Sequence, residues 1–190
     1  MNSKYQRGNK VEGWEKIAGG IYMRRTDERV CSTIYMLDGG SGGRLIIDSG
    51  DGKMPIGFVP EICILTHGHY DHTGGVEKNW EEIYLHPQEK KDAPYILVPK
   101  NAKPLEWKTK KFAQFELEAF HTPGHTMGSV CVLERKSGVL FSGDTLFAGG
   151  EHGRTDLQGD SALMRESLKL IEKIPYRLLC PGHDEIEKRA

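Results

Sequence analysis

The sequence predicts an α/β domain in which two β-sheets pack face to face with helices on the outside. Two observations favour this fold class. Short apolar runs separated by Gly-rich turns recur along the chain of 190 residues and have the pattern of hairpin-connected strands. Few segments have a helical pattern instead. No repeat, low-complexity tract or linker divides the chain, so we expect one domain over residues 14–190 and a flexible N-terminal tail over residues 1–13.

The N-terminal half contains four apolar runs that are typical of strands, at residues 21–23, 31–37, 44–47 and 62–65. Residues 38–43, between the second and third runs, are rich in glycine and indicate a hairpin loop. The fourth run is apolar throughout, as expected of a buried strand. Residues 76–82 then predict a short helix, and residues 83–85 predict another strand.

The C-terminal half contains a second hairpin and one amphipathic helix. The Pro- and Lys-rich residues 87–111 are its least regular part. Strands are predicted at residues 115–120, 130–133, 139–141 and 178–180. Asp160 or Ser161 can cap a helix that continues to about Ile174, since apolar residues recur on one face of this segment.

Composition and charge exclude several classes of function. The chain has 26 Lys and Arg against 27 Asp and Glu, which argues against general affinity for nucleic acid or anionic membranes. No apolar run approaches the roughly 18 residues of a membrane span, and the polar N-terminus shows no secretory signal. The four cysteines are far apart in apolar runs and indicate buried thiols in a reducing compartment. We therefore expect a cytoplasmic protein that acts on a small molecule, and its oligomeric state stays open.

The candidate site begins directly after the predicted buried strand. His67 and His69 are two residues apart in extended chain, so both can reach one cation from the same side. Asp71 and His72 follow where the chain must turn, and they can hold a second cation nearby. Three imidazoles and a carboxylate within six residues are too many ionisable groups for a buried turn without a partner charge. A metal ion supplies that charge.

Three later segments have the same form, a strand that ends in a potential ligand beside a glycine. They contain His125, Asp144 and His183. Because the ends of neighbouring strands meet at one edge of the sheets, we expect these side chains to join the first group. Five histidines and two aspartates would then complete a site for two metal ions.

This set of motifs resembles the metallo-β-lactamase superfamily and, within it, the glyoxalase II (hydroxyacylglutathione hydrolase-like) branch. The HxHxDH motif at residues 67–72 is followed in order by the motifs around His125, Asp144 and His183. The resemblance covers roughly residues 17–185 and implies a four-layer αββα sandwich, with two mixed β-sheets and helices on both outer faces. Full-length glyoxalase II enzymes carry a further C-terminal helical domain. Seven residues follow His183, so we expect a short form without that domain.

The resemblance also implies the ligands of two divalent metal ions. The first ion is bound by His67, His69, His125 and Asp144, and the second by Asp71, His72, Asp144 and His183. Asp144 bridges the two ions, and Asp71 also orients the nucleophile, which makes both aspartates catalytic candidates. Imidazole and carboxylate ligands suit Zn, Fe and Mn alike. We expect zinc, with iron or manganese as alternatives.

The ligand set predicts a hydrolase. Two divalent ions bring four positive charges, and two aspartates with a bridging hydroxide remove three of them, which leaves a site suited to an anionic intermediate. Such metals lower the pKa of bound water from 15.7 toward about 7, so hydroxide forms at neutral pH. A thioester of the acylglutathione type is the expected substrate, because a thiol with a pKa near 8.5 leaves with little help from an acid.

Three alternatives stay open. A persulfide dioxygenase of this fold would use one iron on His67, His125 and Asp144. The run of residues 153–157 resembles short glyoxalase II-like proteins and also persulfide dioxygenases, whereas residues 72–75 follow the hydrolase spacing. A lactonase or phosphodiesterase on the same dinuclear site is the second alternative, and a non-catalytic binding module is the third.

Four further residues are candidates to support the ligands or contact substrate. Asp48 ends a predicted strand, and we expect it to cap a turn or to hold a metal-binding side chain in place. His121 precedes His125 by four residues, and we expect it to support a ligand or line the pocket. His152 can reach substrate from a surface loop, and Arg154 can contact substrate or pair with Asp156.

Overall fold

The computed structural model describes residues 13–26 and 31–189, so nearly all of the predicted tail lies outside the described residues. Two mixed β-sheets pack face to face, and the predicted fold class is confirmed. The first sheet has seven strands in chain order: β1 (Glu15–Ala18), β2 (Ile21–Arg25), β3 (Thr33–Asp38), β4 (Arg44–Ile47), β5 (Ile62–Ile64), β6 (Ile83–Leu85) and β7 (Lys103–Pro104). Strands β1 to β4 are antiparallel, and β4 to β7 are parallel.

The second sheet has six strands in the order β13-β12-β11-β10-β9-β8. They are β8 (Thr109–Phe112), β9 (Phe115–His121), β10 (Val130–Glu134), β11 (Val139–Gly143), β12 (Leu178–Pro181) and β13 (Glu187–Lys188). Only the pair β11–β12 is parallel among them. Helix α1 (Tyr70–Thr73) follows β5, and helix α2 (Ser161–Glu172) connects β11 to β12. Two short 3₁₀ turns cover Gly40–Gly42 and Ala148–Gly150.

Helix α2 forms as the sequence predicts. The Asp160 carboxylate accepts hydrogen bonds from the N–H groups of Ala162 and Leu163, which are otherwise unpaired in the first turn. Ile171 then packs with Leu133 and other buried residues on the outer face of the second sheet. The helix therefore covers this sheet through its apolar stripe.

The outer face of the first sheet is covered differently from the expectation. The predicted helix at residues 76–82 is wrong: the N–H of Trp80 bonds to the Glu77 carbonyl as in a single turn. A helix of seven residues gains little beyond the cost of its nucleus, whereas the turn buries Trp80 to 1 % exposure against the sheet. Irregular chain around Ile56 packs beside it. Among the described residues, this outer layer is therefore irregular chain and not a long helix.

The cysteines correct a second expectation. Cys63, Cys131 and Cys180 are buried within or beside the core, as predicted. Cys31 is exposed and has a φ of 51°, which is incompatible with extended strand. Strand β3 accordingly begins at Thr33 and not at residue 31. No helix in the described residues has the length and apolarity that a membrane span requires.

Candidate metal centre

The candidate site lies where strands of both sheets end, as the sequence predicts. Main-chain hydrogen bonds join the loops across the two sheets. The N–H of Val130 donates to the Thr66 carbonyl over 2.8 Å, and the N–H of Thr33 donates to the Gly182 carbonyl over 2.7 Å. The first bond holds the loop after β5 against the start of β10, and the second holds the start of β3 against the loop that follows β12.

The first cluster of side chains consists of three buried histidines. The Nδ1 atom of His69 lies 3.2 Å from His67 Nε2 and 2.8 Å from His125 Nε2. His67 and His69 come from the loop after β5, and His125 comes from the loop after β9. Burial lowers the pKa of His67 well below its usual value and lowers the pKa of His125, so both rings favour the neutral form. Neutral imidazoles are the form that binds metal ions.

The second cluster combines Asp71, His72 and His183. The Nε2 atoms of the two histidines lie 3.4 Å apart. Asp71 Oδ2 lies 3.7 Å from His72 Nε2 and 3.4 Å from His183 Nε2. The hydroxyl of Ser32 donates to the main-chain carbonyl of Asp71 over 2.7 Å and so fixes the position of this turn.

Asp144 lies between the two clusters. Its Oδ2 atom is 3.4 Å from His125 Nε2 in the first cluster and 3.4 Å from His183 Nε2 in the second. Its Oδ1 atom is 3.4 Å from His72 Nε2. Glycine is required at position 182, because a Cβ atom there would lie 2.2 Å from Asp144 Oδ1. One carboxylate therefore faces both groups of potential ligands.

Opposite charges in this region shift one another's pKa values. Burial raises the pKa of Asp144 on its own, but His72 and His183 outweigh burial and hold it well below the usual range. Burial lowers the pKa of His72, but Asp144 and Asp48 outweigh burial and raise it to about 9. His183 shows the same competition, in which Asp144 and Asp71 raise its pKa to about 11. Opposite charges thus outweigh burial at these three groups, and a metal ion that bound to Nε2 of His72 or His183 would take the place of the proton there.

The seven side chains fit divalent metal ions. Three overlapping groups have donor atoms within 4.8 Å of one another: His67, His69 and His125; His67, His72 and Asp144; and Asp71, His72 and His183. Asp144 Oδ1 is buried and has no hydrogen-bond partner among the described residues. A buried carboxylate oxygen without a partner is costly unless a cation faces it. Imidazole and carboxylate donors together are typical ligands of Zn, Fe and Mn.

Asp48 holds the first motif through three hydrogen bonds. Its carboxylate accepts from the Thr66 N–H over 2.7 Å, from the Thr66 hydroxyl over 2.8 Å and from His72 Nδ1 over 2.8 Å. Because the single proton of the Thr66 hydroxyl goes to Asp48, this oxygen accepts from His67 Nδ1, 3.1 Å away. The lone pair of His67 is therefore left on Nε2, and Nε2 is likewise the atom through which His72 could bind a metal ion; both atoms point into the clusters.

The other predicted supporting residues have different surroundings. His121 bonds to the Met127 carbonyl over 2.9 Å and stacks on His86, with ring centroids 3.8 Å apart. His152 is exposed and donates from Nδ1 to the Gly153 carbonyl. Within the described residues, the contacts of these two histidines include none of the seven side chains. The ring of His121 turns toward His86, and a supporting role for this residue stays a prediction.

Arg154 contributes through its main chain. Its guanidinium forms a two-point pair with Asp156 at 2.7 Å on the exposed surface. Its carbonyl oxygen accepts from His125 Nδ1 over 2.8 Å, which leaves the lone pair of that ring on Nε2. The side-chain pair is one of the two interpretations that the sequence allows, and the carbonyl contact has no sequence signal.

Two buried residues at the site are absent from the sequence-based candidates. Gln158 contacts His69, and Glu89 accepts hydrogen bonds from the N–H of Gly68 over 2.9 Å and the hydroxyl of Thr126 over 2.8 Å. Glu89 thereby joins the two loops that carry the first cluster. A lone glutamine after a loop, and a glutamate in a Lys-rich segment, carry no local pattern that would single them out.

A family model of the metallo-β-lactamase superfamily matches residues 28–183. The chain belongs to this superfamily. This is a superfamily of metal-dependent hydrolases, and membership supports the prediction that the protein is an enzyme. The match includes the six side chains of the two clusters and Asp144, since all seven lie between residues 67 and 183.

Solved structures show the same fold. The BLEG-1 B3 metallo-β-lactamase is 29% identical, with a TM-score of 0.75, and the alignment covers 88% of this chain and 93% of that one. TTHA1623, whose structure is of a di-iron-bound form, is 28% identical with a TM-score of 0.68 over 86% and 92% of the two chains. ETHE1 from Myxococcus xanthus is 21% identical, with a TM-score of 0.66 over 87% and 79%, and shows likeness of fold alone.

Proposed function

We propose that this protein is a dinuclear metal-dependent hydrolase that cleaves a thioester of the acylglutathione class. One observation carries the proposal. Asp144 has one carboxylate oxygen near His125 and His183, and its other oxygen, near His72, is buried without a hydrogen-bond partner among the described residues. This is the arrangement expected of a ligand shared by two ions.

The protein's own residues would prepare the site for two cations. In the first cluster, His67 and His125 offer neutral donors, and Asp71 with Asp144 offers two negative charges. When bound, two divalent cations supply Lewis acidity and a source of hydroxide at neutral pH. The di-iron form of TTHA1623 supports a two-metal site in a similar fold, and zinc or manganese would suit the same donors.

The surroundings of the clusters favour a thioester over substrates with poorer leaving groups. A thiolate, from a thiol with a pKa near 8.5, leaves without a strong acid beside it. The two histidines predicted near the site, His121 and His152, bond to main-chain carbonyls and do not reach the clusters within the described residues. A substrate that needs no proton from them therefore suits this arrangement.

A mononuclear-iron persulfide dioxygenase is the second candidate. Asp144 Oδ2 lies 3.4 Å from His125 Nε2 and 4.0 Å from His67 Nε2, which forms a group of two histidines and one carboxylate. Such a group is typical of non-haem iron oxygenases. His69 Nδ1 lies within 3.2 Å of both histidine nitrogens, however, and this fourth donor favours the hydrolase.

The test begins with metal content. Protein purified without chelator is analysed by inductively coupled plasma mass spectrometry and assayed on acylglutathiones, lactones and phosphodiesters. We expect about two ions per chain and thioester cleavage that Asp144→Asn abolishes, with Asp92→Asn, on the exposed surface, as the matched control. One iron per chain, with oxygen consumed in the presence of glutathione persulfide, would favour the dioxygenase. No metal after reconstitution would refute both candidates.

A further inference from the structure

Gln158 is a buried side chain that joins three loops. It is 7 % exposed, whereas its neighbour Leu157 is 44 % exposed. Its Oε1 atom lies 2.9 Å from His69 Nε2, and its Nε2 atom bonds to the main-chain carbonyl of Pro94. The glutamine thus connects the loop after β11 to the histidine motif and to the segment before β7.

The partner at Pro94 fixes the orientation of the Gln158 amide. A carbonyl oxygen can only accept a hydrogen bond, so the amide nitrogen must face Pro94 and the amide oxygen must face His69. That oxygen is an acceptor, so His69 must carry its proton on Nε2. The lone pair of the ring is then on Nδ1, the atom 3.2 Å from His67 Nε2 and 2.8 Å from His125 Nε2.

His69 is exceptional among the buried histidines of the site. His67, His72 and His125 each direct Nε2 into the clusters, while their Nδ1 atoms bond to Thr66, Asp48 and the Arg154 carbonyl respectively. His69 instead directs its Nδ1 atom toward the other two histidines of the first cluster. The atom that selects this tautomer belongs to a side-chain amide that lies 89 residues away in the chain.

We propose that Gln158 is a positioning residue that holds His69 as an Nδ1 donor and thereby sets the affinity of the first cluster for its metal ion. This inference rests on the proposed two-metal site. Residues that bond to the second nitrogen of a metal-binding histidine fix its tautomer and orientation, and their loss typically weakens metal binding roughly 10- to 100-fold. Gln158 bonds to His69 and Pro94 and, within the part of the chain that the structure describes, to no member of the second cluster, which should therefore keep its affinity.

The experiment compares two substitutions of the same length. Gln158→Met removes the acceptor, and Gln158→Glu keeps an acceptor oxygen at His69 while it loses the donor to Pro94. Zn²⁺ is titrated against a competing chelator to give two dissociation constants for each variant. We expect Gln158→Met to weaken one constant about 10- to 100-fold and leave the other unchanged. Gln158→Glu restores the weakened constant to the wild-type value or better. Gln114→Met, at an exposed glutamine bonded to the Asp38 carbonyl, is the control.

A second measurement needs no metal. Long-range ¹H–¹⁵N correlation spectra of the metal-free protein report the tautomer of each histidine. We expect the Nε2–H form of His69 in the wild type and in Gln158→Glu, and a mixture of forms in Gln158→Met. Equal loss of both zinc constants, no loss, or failure of glutamate to restore binding would overturn the inference. If the wild type bound no zinc, the proposed function would fail. The spectra would still show whether Gln158 sets the tautomer of His69.

Discussion

Asp48→Asn is the sharpest probe of how the protein holds the two clusters. The substitution keeps the size of the side chain and its backbone conformation, since asparagine tolerates the φ of 61° at this position. What changes is the hydrogen bonding. The carboxylate accepts three hydrogen bonds, two from Thr66 and one from His72. An amide offers one acceptor atom and one donor group instead.

The magnitude follows from these three bonds. In either orientation of the new amide, at least one of the donors faces the NH₂ group and loses its acceptor. Asp48 is only 2 % exposed, so water cannot replace the lost partner. Loss of a hydrogen bond to a charged group, together with a buried donor left unpaired, costs about 2–4 kcal/mol. We expect the free energy of unfolding of the metal-free protein to fall by about that amount.

The assay is urea unfolding of the metal-free protein, followed by circular dichroism and tryptophan fluorescence, with metal content measured on the same samples. Asp156→Asn is the control, because Asp156 is exposed and its ion-pair partner among the described residues is Arg154 on the surface. This substitution should leave the unfolding midpoint unchanged. A loss below about 1 kcal/mol for Asp48→Asn, with an unchanged m-value, would refute the assignment of three buried hydrogen bonds.

Three other predictions test separate features. Glu89→Gln should keep the free energy of unfolding in urea within about 1 kcal/mol of the wild-type value, because one amide oxygen can accept from both the Gly68 N–H and the Thr126 hydroxyl, which donate to Oε2. Glu89→Leu should lower it by about 2–3 kcal/mol. Burial and the neighbouring imidazole of His121 lower the pKa of His86 to about 4. Between about pH 6.5 and 4 the unfolded chain therefore binds more protons than the folded protein, and the free energy of unfolding falls as the pH drops. His86→Gln should make this fall shallower. Gly182→Ala should abolish tight zinc binding, since its Cβ would lie 2.2 Å from Asp144 Oδ1.

Each of these has a matched comparison. Equal losses for Glu89→Gln and Glu89→Leu would show that charge and not acceptor geometry matters at that position. The slope of stability with pH is compared between the wild type and His86→Gln, and identical slopes would contradict the prediction. Gly19→Ala is the control for Gly182→Ala, because open space surrounds the Cβ position of Gly19 and neither glycine has a positive φ.

Local patterns predicted many of the elements and their approximate positions. The hairpin at β10 and β11 and the helix α2 follow from alternation, periodicity and a capping aspartate, which are properties of consecutive residues. The predicted helix at residues 76–82 failed because a tertiary contact, the burial of Trp80 against the first sheet, outweighed a weak local preference.

The candidate ligands were also visible in the sequence. Ligand-type residues beside glycine at the ends of strands indicate a shared edge, and the structure brings all seven side chains into two adjoining clusters. The family match then confirms the superfamily that the HxHxDH motif suggests. The metal ions, their number and the thioester substrate stay predictions, and the experiments above test them.

The sequence by itself determined the superfamily, many of the strands along the chain and the residue types that converge, because each is carried by patterns of nearby residues. Only the tertiary structure decided what holds those residues. Gln158 reaches His69 across 89 positions, and Asp48 reaches His72 across 24. Hydrogen bonds between side chains so far apart form only after the sheets have packed. The tautomers they impose on the histidines are therefore properties of the folded molecule and of no single segment of it.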